Sequence, residues 1–311
     1  MNLHNFVELC MCPAPLGNEH TAKQLIRSML PNGLEISEDV AGSVIVRKPG
    51  EKPGLTFFAS LSQPVVLVTG KKSDGAWELQ PLGTGKTLEP MNGWKVMDSG
   101  GAQAKLEVKD GELRLTEDKG VQIGSLLTRQ PDWTQDVLSV SCAGIEDRVG
   151  CWLLTELLRE MPDVKAEITC IFLAQEQHCP KVAELAMNET DAAVAIRLAS
   201  AKVNDISLTG APVNAGGGPV LKLRERYVST DGRLMDLERM ACREAGVPFQ
   251  YEVLELDATG LYTAQYGHCG VVVGGIDIPA EEGRILLTDL RNTRALVMQL
   301  AANADQIQQA L

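Results

Sequence analysis

The feature that most limits what this chain can fold into is a change of texture that occurs twice. From about Gln63 to Ser139 short alternating runs are broken by Gly, Pro, Asp and Asn, and no stretch carries the period of a helix. Within it, AKLEV and ELRLT flank a tight KDG turn, the pattern of a hairpin. On either side the helical period returns. Leu3, Phe6, Val7, Cys10 and Met11 follow helical spacing until Pro13 and Pro15 break it, and a second helix is expected from about Glu19 to Met29. Extended runs LEISEDV, GSVIVRK and LTFFASL follow. After Cys142, apolar strands (AEITCIFLA, DAAVAIRLA, QYEVLEL, GVVVGGI) alternate with helices (DRVGCWLLTELLREM, PKVAELAMN, GRLMDLERMACREAG, ATGLYTAQYG), and a long helix from about Asp289 to Leu311 closes the chain. Such alternation implies a sheet covered by helices on both faces. The first 62 residues hold too little apolar material for a core of their own. The expected fold class is therefore α/β: a mixed-sheet domain of residues 1–63 plus 141–311, with a small barrel-like all-β domain inserted at 64–140.

Composition removes several function classes. The formal charge is −12, and the longest basic run is Lys71-Lys72. A nucleic-acid partner and an anionic membrane surface are both disfavoured, because each needs clustered Lys and Arg. Aromatic residues are only 4% of the chain, too few for a base-stacking or sugar-stacking cleft. No apolar run approaches the roughly 18 residues of a membrane span, and MNLHNFVELCMC lacks the form of a secretory signal. The eight cysteines show no C-x₂₋₄-C spacing, so buried thiols and a cytoplasmic location are expected.

Few local motifs carry chemistry. GTGKT at 83–87 resembles a phosphate loop, but Gln80 stands where that pattern needs Gly. NAGGGPV at 214–220 reads as a loop of close backbone approach that could also hold an anion on its amides. His178-Cys179 and His268-Cys269 are short polar pairs to which local structural roles are assigned. Glu176 follows the buried run AEITCIFLA, and open α/β sheets place their ligands at such strand ends. Glu146 and Asp147 stand at a helix start, where they either complement the helix dipole or offer oxygen ligands to a metal.

In order, the phrases PAPLGNE, EDVAGSVIVRKPG, FFASLSQPV, GVQIGSLL, GIEDRVGC, LAQEQ, DAAVAIRLA, GGGPVLK, GVPFQYEVLELDATG and TDLRNTRALV run from about residue 5 to 305. Taken together they resemble the glutamyl and deblocking aminopeptidases that build tetrahedral shells, within the zinc-peptidase clan. The resemblance implies a zinc-peptidase-like α/β domain interrupted by a β-barrel, a peptide substrate, and homo-oligomers. It also implies two divalent metals, zinc or cobalt, held by a His-x-Asp, a bridging Asp, a Glu-Glu pair, a strand-end Asp and a late His. This sequence departs from that set at nearly every position. Ser60 and Ser62 replace the His-x-Asp, Glu146 the bridging Asp, Gln177 the metal-binding Glu, Arg197 the strand-end Asp, and Pro279 stands near the late His. Glu176 keeps the catalytic-base position, Arg148 is retained, and Asp257 matches the family's Thr-Asp-Ala phrase.

Ser and Gln are poor zinc ligands, proline offers no donor, and a guanidinium repels a cation. Without a metal there is no bound water of lowered pKa for Glu176 to activate. The expectation from sequence is therefore a divergent family member lacking dinuclear-metal peptidase activity, with no cofactor. Its cleft, with Glu146, Glu176 and Asp257, is expected to hold a peptide or a small polar ligand, and the chain to form a homo-oligomer. Arg197 is expected to pair with Glu146 or Glu176. The alternative is an active hydrolase whose site is rebuilt with His178, Cys179, His268 or Cys269.

Overall fold

The computed structural model describes residues 2–83, 88–204, 211–255, 260–267 and 271–310. Asp257, His268, Cys269 and most of GTGKT lie outside them. In chain order the described strands are β1 (Glu35–Glu38), β2 (Val44–Lys48), β3 (Lys52–Ser60), β4 (Val65–Lys71), β5 (Trp77–Leu82), β6 (Lys95–Met97), β7 (Gln103–Lys109), β8 (Glu112–Lys119), β9 (Leu126–Arg129), β10 (Thr134–Gln135), β11 (Ser139–Ser141), β12 (Ala166–Leu173), β13 (Val194–Lys202), β14 (Val220–Glu225), β15 (Val228–Ser229), β16 (Gln250–Leu254), β17 (Val272–Ala280) and β18 (Arg284–Leu286). The helices are α1 (His4–Met11), α2 (His20–Met29), α3 (Val149–Arg159), α4 (Val182–Met187), α5 (Gly232–Ala245), α6 (Gly260–Ala264), α7 (Leu287–Ala302) and α8 (Ala304–Ala310).

Nine strands form a mixed sheet in the order β1-β2-β12-β3-β13-β17-β14-β15, with β16 pairing on β14. Its centre, β12-β3-β13-β17, is parallel. These strands are apolar throughout because both faces are covered. Side chains alternate strictly between two cores. Leu55, Phe57 and Ala59 of β3 join the core shared with α1, α3, α5 and α7, while Phe58 joins the opposite core under α4 and α6. Among the described residues that second face carries two short helices, and it is the face on which Arg197, Asp277 and Lys222 lie.

Strands β4 to β9 make a separate six-stranded antiparallel sheet, ordered β5-β4-β9-β6-β7-β8, around Val68, Val96, Leu106 and Leu127. Its two ends are drawn together by Trp77 Nε1 donating to Asp118 at 2.6 Å and by Lys72 pairing with Glu112 at 2.9 Å. The result is a nearly closed small barrel beside a mixed α/β sheet. The β7–β8 hairpin turns on Asp110 and Gly111, both with positive φ (54° and 77°), as a type I′ turn requires. The small sheet ends at Arg129. Strand β11 pairs instead with β10 on one side and β18 on the other, so a border at residue 140 falls inside β11.

Two sequence expectations differ from the structure. The last helix is two helices, α7 and α8, separated at Asn303, whose Nδ2 bonds to Glu244 at 2.7 Å. A strand, β14, follows the glycine-rich loop directly, where only that loop and a helix were expected. No helix among the described residues is long and apolar enough to cross a membrane.

Candidate ligand cleft

The carboxyl ends of β3, β12 and β13 and the short 3-10 turn Ile145–Asp147 surround a cavity of about 330 Å³. Ser60, Glu146, Asp147, Gln177 and Arg197 all line it, so the structure brings these five positions together. Pro279 is not among the lining residues; it sits in β17 opposite Ala201.

Each candidate side chain has a definite task. Ser62, buried, donates to Glu19 at 2.7 Å and accepts from the Gln175 amide at 2.6 Å, tying α2 to the end of β12. Arg148 donates to the carbonyls of Leu61 (2.6 Å) and Cys12 (3.2 Å), locking the end of β3 against the N-terminal segment. Gln175 turns the chain beyond β12 with a φ of 59°. Gln177 then donates to Asp147 at 3.3 Å, and Glu146 accepts from the Gly283 amide. Burial, reinforced by the Glu146 charge, pushes the Asp147 carboxyl up to about 7. Burial also raises Glu146, against the pull of its bond from Gly283.

Glu176 accepts the Gly260 amide at 2.7 Å on Oε1, and the same oxygen faces an Arg197 terminal nitrogen at 3.6 Å. Of the two carboxylates expected to meet Arg197, Glu176 is therefore the one it reaches, as an ion pair longer than a hydrogen bond.

The floor of the cavity is formed by residues that sequence reasoning missed. Lys222 of β14 lies within 2.7 Å of Glu252, 2.9 Å of Asp277 and 3.2 Å of Glu225, and all four are buried. Burial lowers the Lys222 pKa, but Asp277, Glu225 and Glu252 outweigh it and hold the ammonium above its ordinary range. Burial likewise opposes the Arg197 charge, and Glu176 with the same three carboxylates more than restores it. Gly275 makes room for this row: a Cβ there would stand 3.1 Å from Lys222 Cβ. The signal available in the sequence was Asp277, one acid inside the apolar run GVVVGGIDIPA, since a carboxylate so enclosed requires a partner.

The glycine-rich loop does hold an anion on its amides, but the anion is internal. Gly216 and Gly218 donate to the Asp289 carboxylate at 2.7 and 3.0 Å, anchoring the start of α7.

Comparison with known proteins gives a consistent picture. A family profile described as M42 glutamyl aminopeptidase matches residues 107–291. A curated protein of Acetivibrio thermocellus that bears a provisional name as an aminopeptidase is 23% identical over 288 residues, covering 85% of this chain and 86% of its own. The crystal structure of a TET aminopeptidase from a marine-sediment Thaumarchaeota archaeon superposes with a TM-score of 0.89 at 17% identity, over 99% of this chain and 98% of that one. The TET1 peptidase of Pyrococcus horikoshii, which can assemble into a tetrahedron or a large octahedral shell, superposes with a TM-score of 0.82 at 17% identity, over 96% and 98%.

These matches overturn the expectation that no cofactor is involved. The profile that matches describes a family that works with divalent metals, so divalent metals are the cofactor its members call for. At the strand-end positions, however, the donor set does not fit a metal pair. A guanidinium and an ammonium already occupy the place of metal ions among the carboxylates, and Ser60 and Gln177 are weak donors. Among the described residues no group of three or more His, Cys, Asp or Glu is arranged to hold a metal ion.

Proposed function

The chain belongs to the M42 glutamyl aminopeptidase family, and on that premise we propose that it is a divergent member whose cleft binds a small polar ligand and does not carry out dinuclear-metal peptide hydrolysis. The observation that carries this reading is the pair of buried cations, Arg197 against Glu176 and Lys222 against three carboxylates, at the carboxyl end of the sheet. The Glu176 carboxylate is already engaged by the Arg197 guanidinium and the Gly260 amide. Glu176 lies buried behind Arg197 and serves as its counter-ion. The reading extends to assembly: the chain associates with copies of itself, as the shell-forming relative does.

The test is an assay of purified protein with aminoacyl chromogenic substrates and added zinc, cobalt or manganese. Turnover should not exceed a metal-only blank. Robust turnover abolished by chelator and by Glu176→Gln would establish the alternative, a hydrolase with a rebuilt metal site.

A further inference from the structure

Two of the eight cysteines meet where α1 rests on the body of the molecule. Cys10 stands in the last turn of α1, and Cys142 follows β11 directly. The Cys10 thiol donates a hydrogen bond to the Cys142 sulfur, although the two residues are more than a hundred positions apart in sequence. They are 3% and 1% exposed and belong to the same apolar core. Sulfurs already in contact need little backbone movement to reach bonding distance, about 2.05 Å. Among the described residues Cys12, Cys151, Cys170 and Cys242 hydrogen-bond no second thiol, and Cys179 is exposed.

The two thiols differ in a way that suits a bond-forming pair. The hydrogen bond received from Cys10 holds the Cys142 thiol below its ordinary range, against the effect of burial. Burial raises Cys10 well above that range, and donating to Cys142 adds to the rise. Cys142 is therefore the thiol that ionises first and attacks, and Cys10 the one that resolves. Access comes through α1. That helix has eight residues and no side-chain cap, so packing holds it in place, chiefly Phe6 against Trp152 (5.0 Å between ring centroids) and Trp133 (5.4 Å). Local opening of so short a helix bares both sulfurs together.

Cys142 also belongs to the frame of the cleft. Its amide donates to the Gly283 carbonyl at 2.9 Å. Its carbonyl accepts at 3.1 Å from Ile145, the first residue of the turn that carries Glu146 and Asp147. The Gly283 amide in turn donates to Glu146.

We propose that Cys10 and Cys142 are a reversible redox pair, closing to a disulfide when the chain meets a hydroperoxide and thereby fixing α1 to the wall of the cleft. The Cys142 thiolate attacks a peroxide oxygen: an S–O bond forms, the O–O bond breaks, and the departing oxygen takes a proton and leaves as water. The Cys10 sulfur, giving up its proton, then attacks the sulfenic sulfur: the S–S bond forms, the S–O bond breaks, and a second water leaves. In total the two thiols lose two electrons and two protons, and hydrogen peroxide is reduced to two waters. A thiol reductant reverses the step by exchange. The device is independent of what the cleft binds.

The experiment is a non-reducing peptide map of the purified full-length chain after a stoichiometric dose of hydrogen peroxide. A peptide joining Cys10 to Cys142 should be the dominant cross-link. It should disappear with dithiothreitol, and it should form in Cys12→Ser but not in Cys142→Ser. The oxidised parent should melt at least about 3 °C above the reduced one, because the bridge closes a long loop. Cys142→Ser should show no such gain. Amide exchange within α1 should slow at least about tenfold on oxidation. Absence of the Cys10–Cys142 peptide after peroxide, whatever happens to the other thiols, overturns the proposal. So does a Cys10 that pairs mainly with Cys12, or a bridge that leaves α1 exchange unchanged. If Cys142→Ser fails to fold, Cys10→Ala and the map of the parent decide.

Discussion

At the scale of single residues the molecule is governed by buried charge. Lys222 is the sole ammonium set among Glu225, Glu252 and Asp277 in the described floor, so Lys222→Met leaves those carboxylates without their central counter-ion. The expected loss is about 3–5 kcal/mol in a urea unfolding experiment, the scale for stranding a buried charge. A change under about 0.5 kcal/mol would mean that the cluster is hydrated and the ion pairs inconsequential. Glu238 gives the opposite case. It is fully enclosed, neither carboxyl oxygen has a hydrogen-bond partner among the described residues, and burial pushes its pKa from 4.5 up to about 8. The folded state thus holds this proton more tightly than the unfolded chain. Its contribution to stability is fully present below about pH 4.5 and is lost as pH rises through about 8. Each pH unit inside that window removes up to about 1.4 kcal/mol. Glu238→Met should flatten that slope, with an advantage over the parent that grows from pH 5 to 8 and then levels off. Parallel slopes for variant and parent would refute the assignment.

At the scale of elements, helix α3 approaches the sheet so closely that one position admits no side chain. A Cβ on Gly150 would lie 2.3 Å from the Leu198 carbonyl oxygen of β13 and 2.8 Å from Ala59 of β3. Gly150→Ala should therefore destabilise the fold by about 1–3 kcal/mol, despite alanine's better helix propensity, because backbone must move. A stabilised variant in thermal melts would show that α3 can be displaced freely. Elements with a local signature were legible in the sequence. The Asp110-Gly111 hairpin, the apolar strands β12 and β13 and the face of α3 each follow from spacing or turn chemistry that a short window contains. Strand β14 was not, because Lys222 and Glu225 are charged residues on its buried side and spoil the apolar alternation. They are tolerable only because Glu252 and Asp277 arrive from β16 and β17, and no local window shows that. The candidate site was half legible for the same reason. Family resemblance carried Ser60, Glu146, Gln177 and Arg197 to one cavity, but the cation at its floor depends on three strands distant in sequence.

At the scale of the whole molecule, the proposed self-association has a direct measurement. Light scattering at micromolar concentration should give a multiple of the monomer mass, and a clean monomer would count against it. A further consequence concerns the order in which the chain can acquire its shape. The small barrel draws all six strands from residues 65–129, so each partner lies close in sequence. The centre of the main sheet does not. Strand β3, with Phe57 and Phe58 buried on opposite faces, is complete by Ser60, yet its neighbours β12 and β13 begin only at Ala166 and Val194. During synthesis the barrel can close while β3 waits, an apolar strand with both edges open, for more than a hundred further residues. At roughly 5–20 residues per second that interval lasts several seconds, long enough for a sticky segment to find another nascent chain. The vulnerability of this protein to aggregation is thus set by translation speed across the barrel, and slowing synthesis there should lower soluble yield without altering the finished fold.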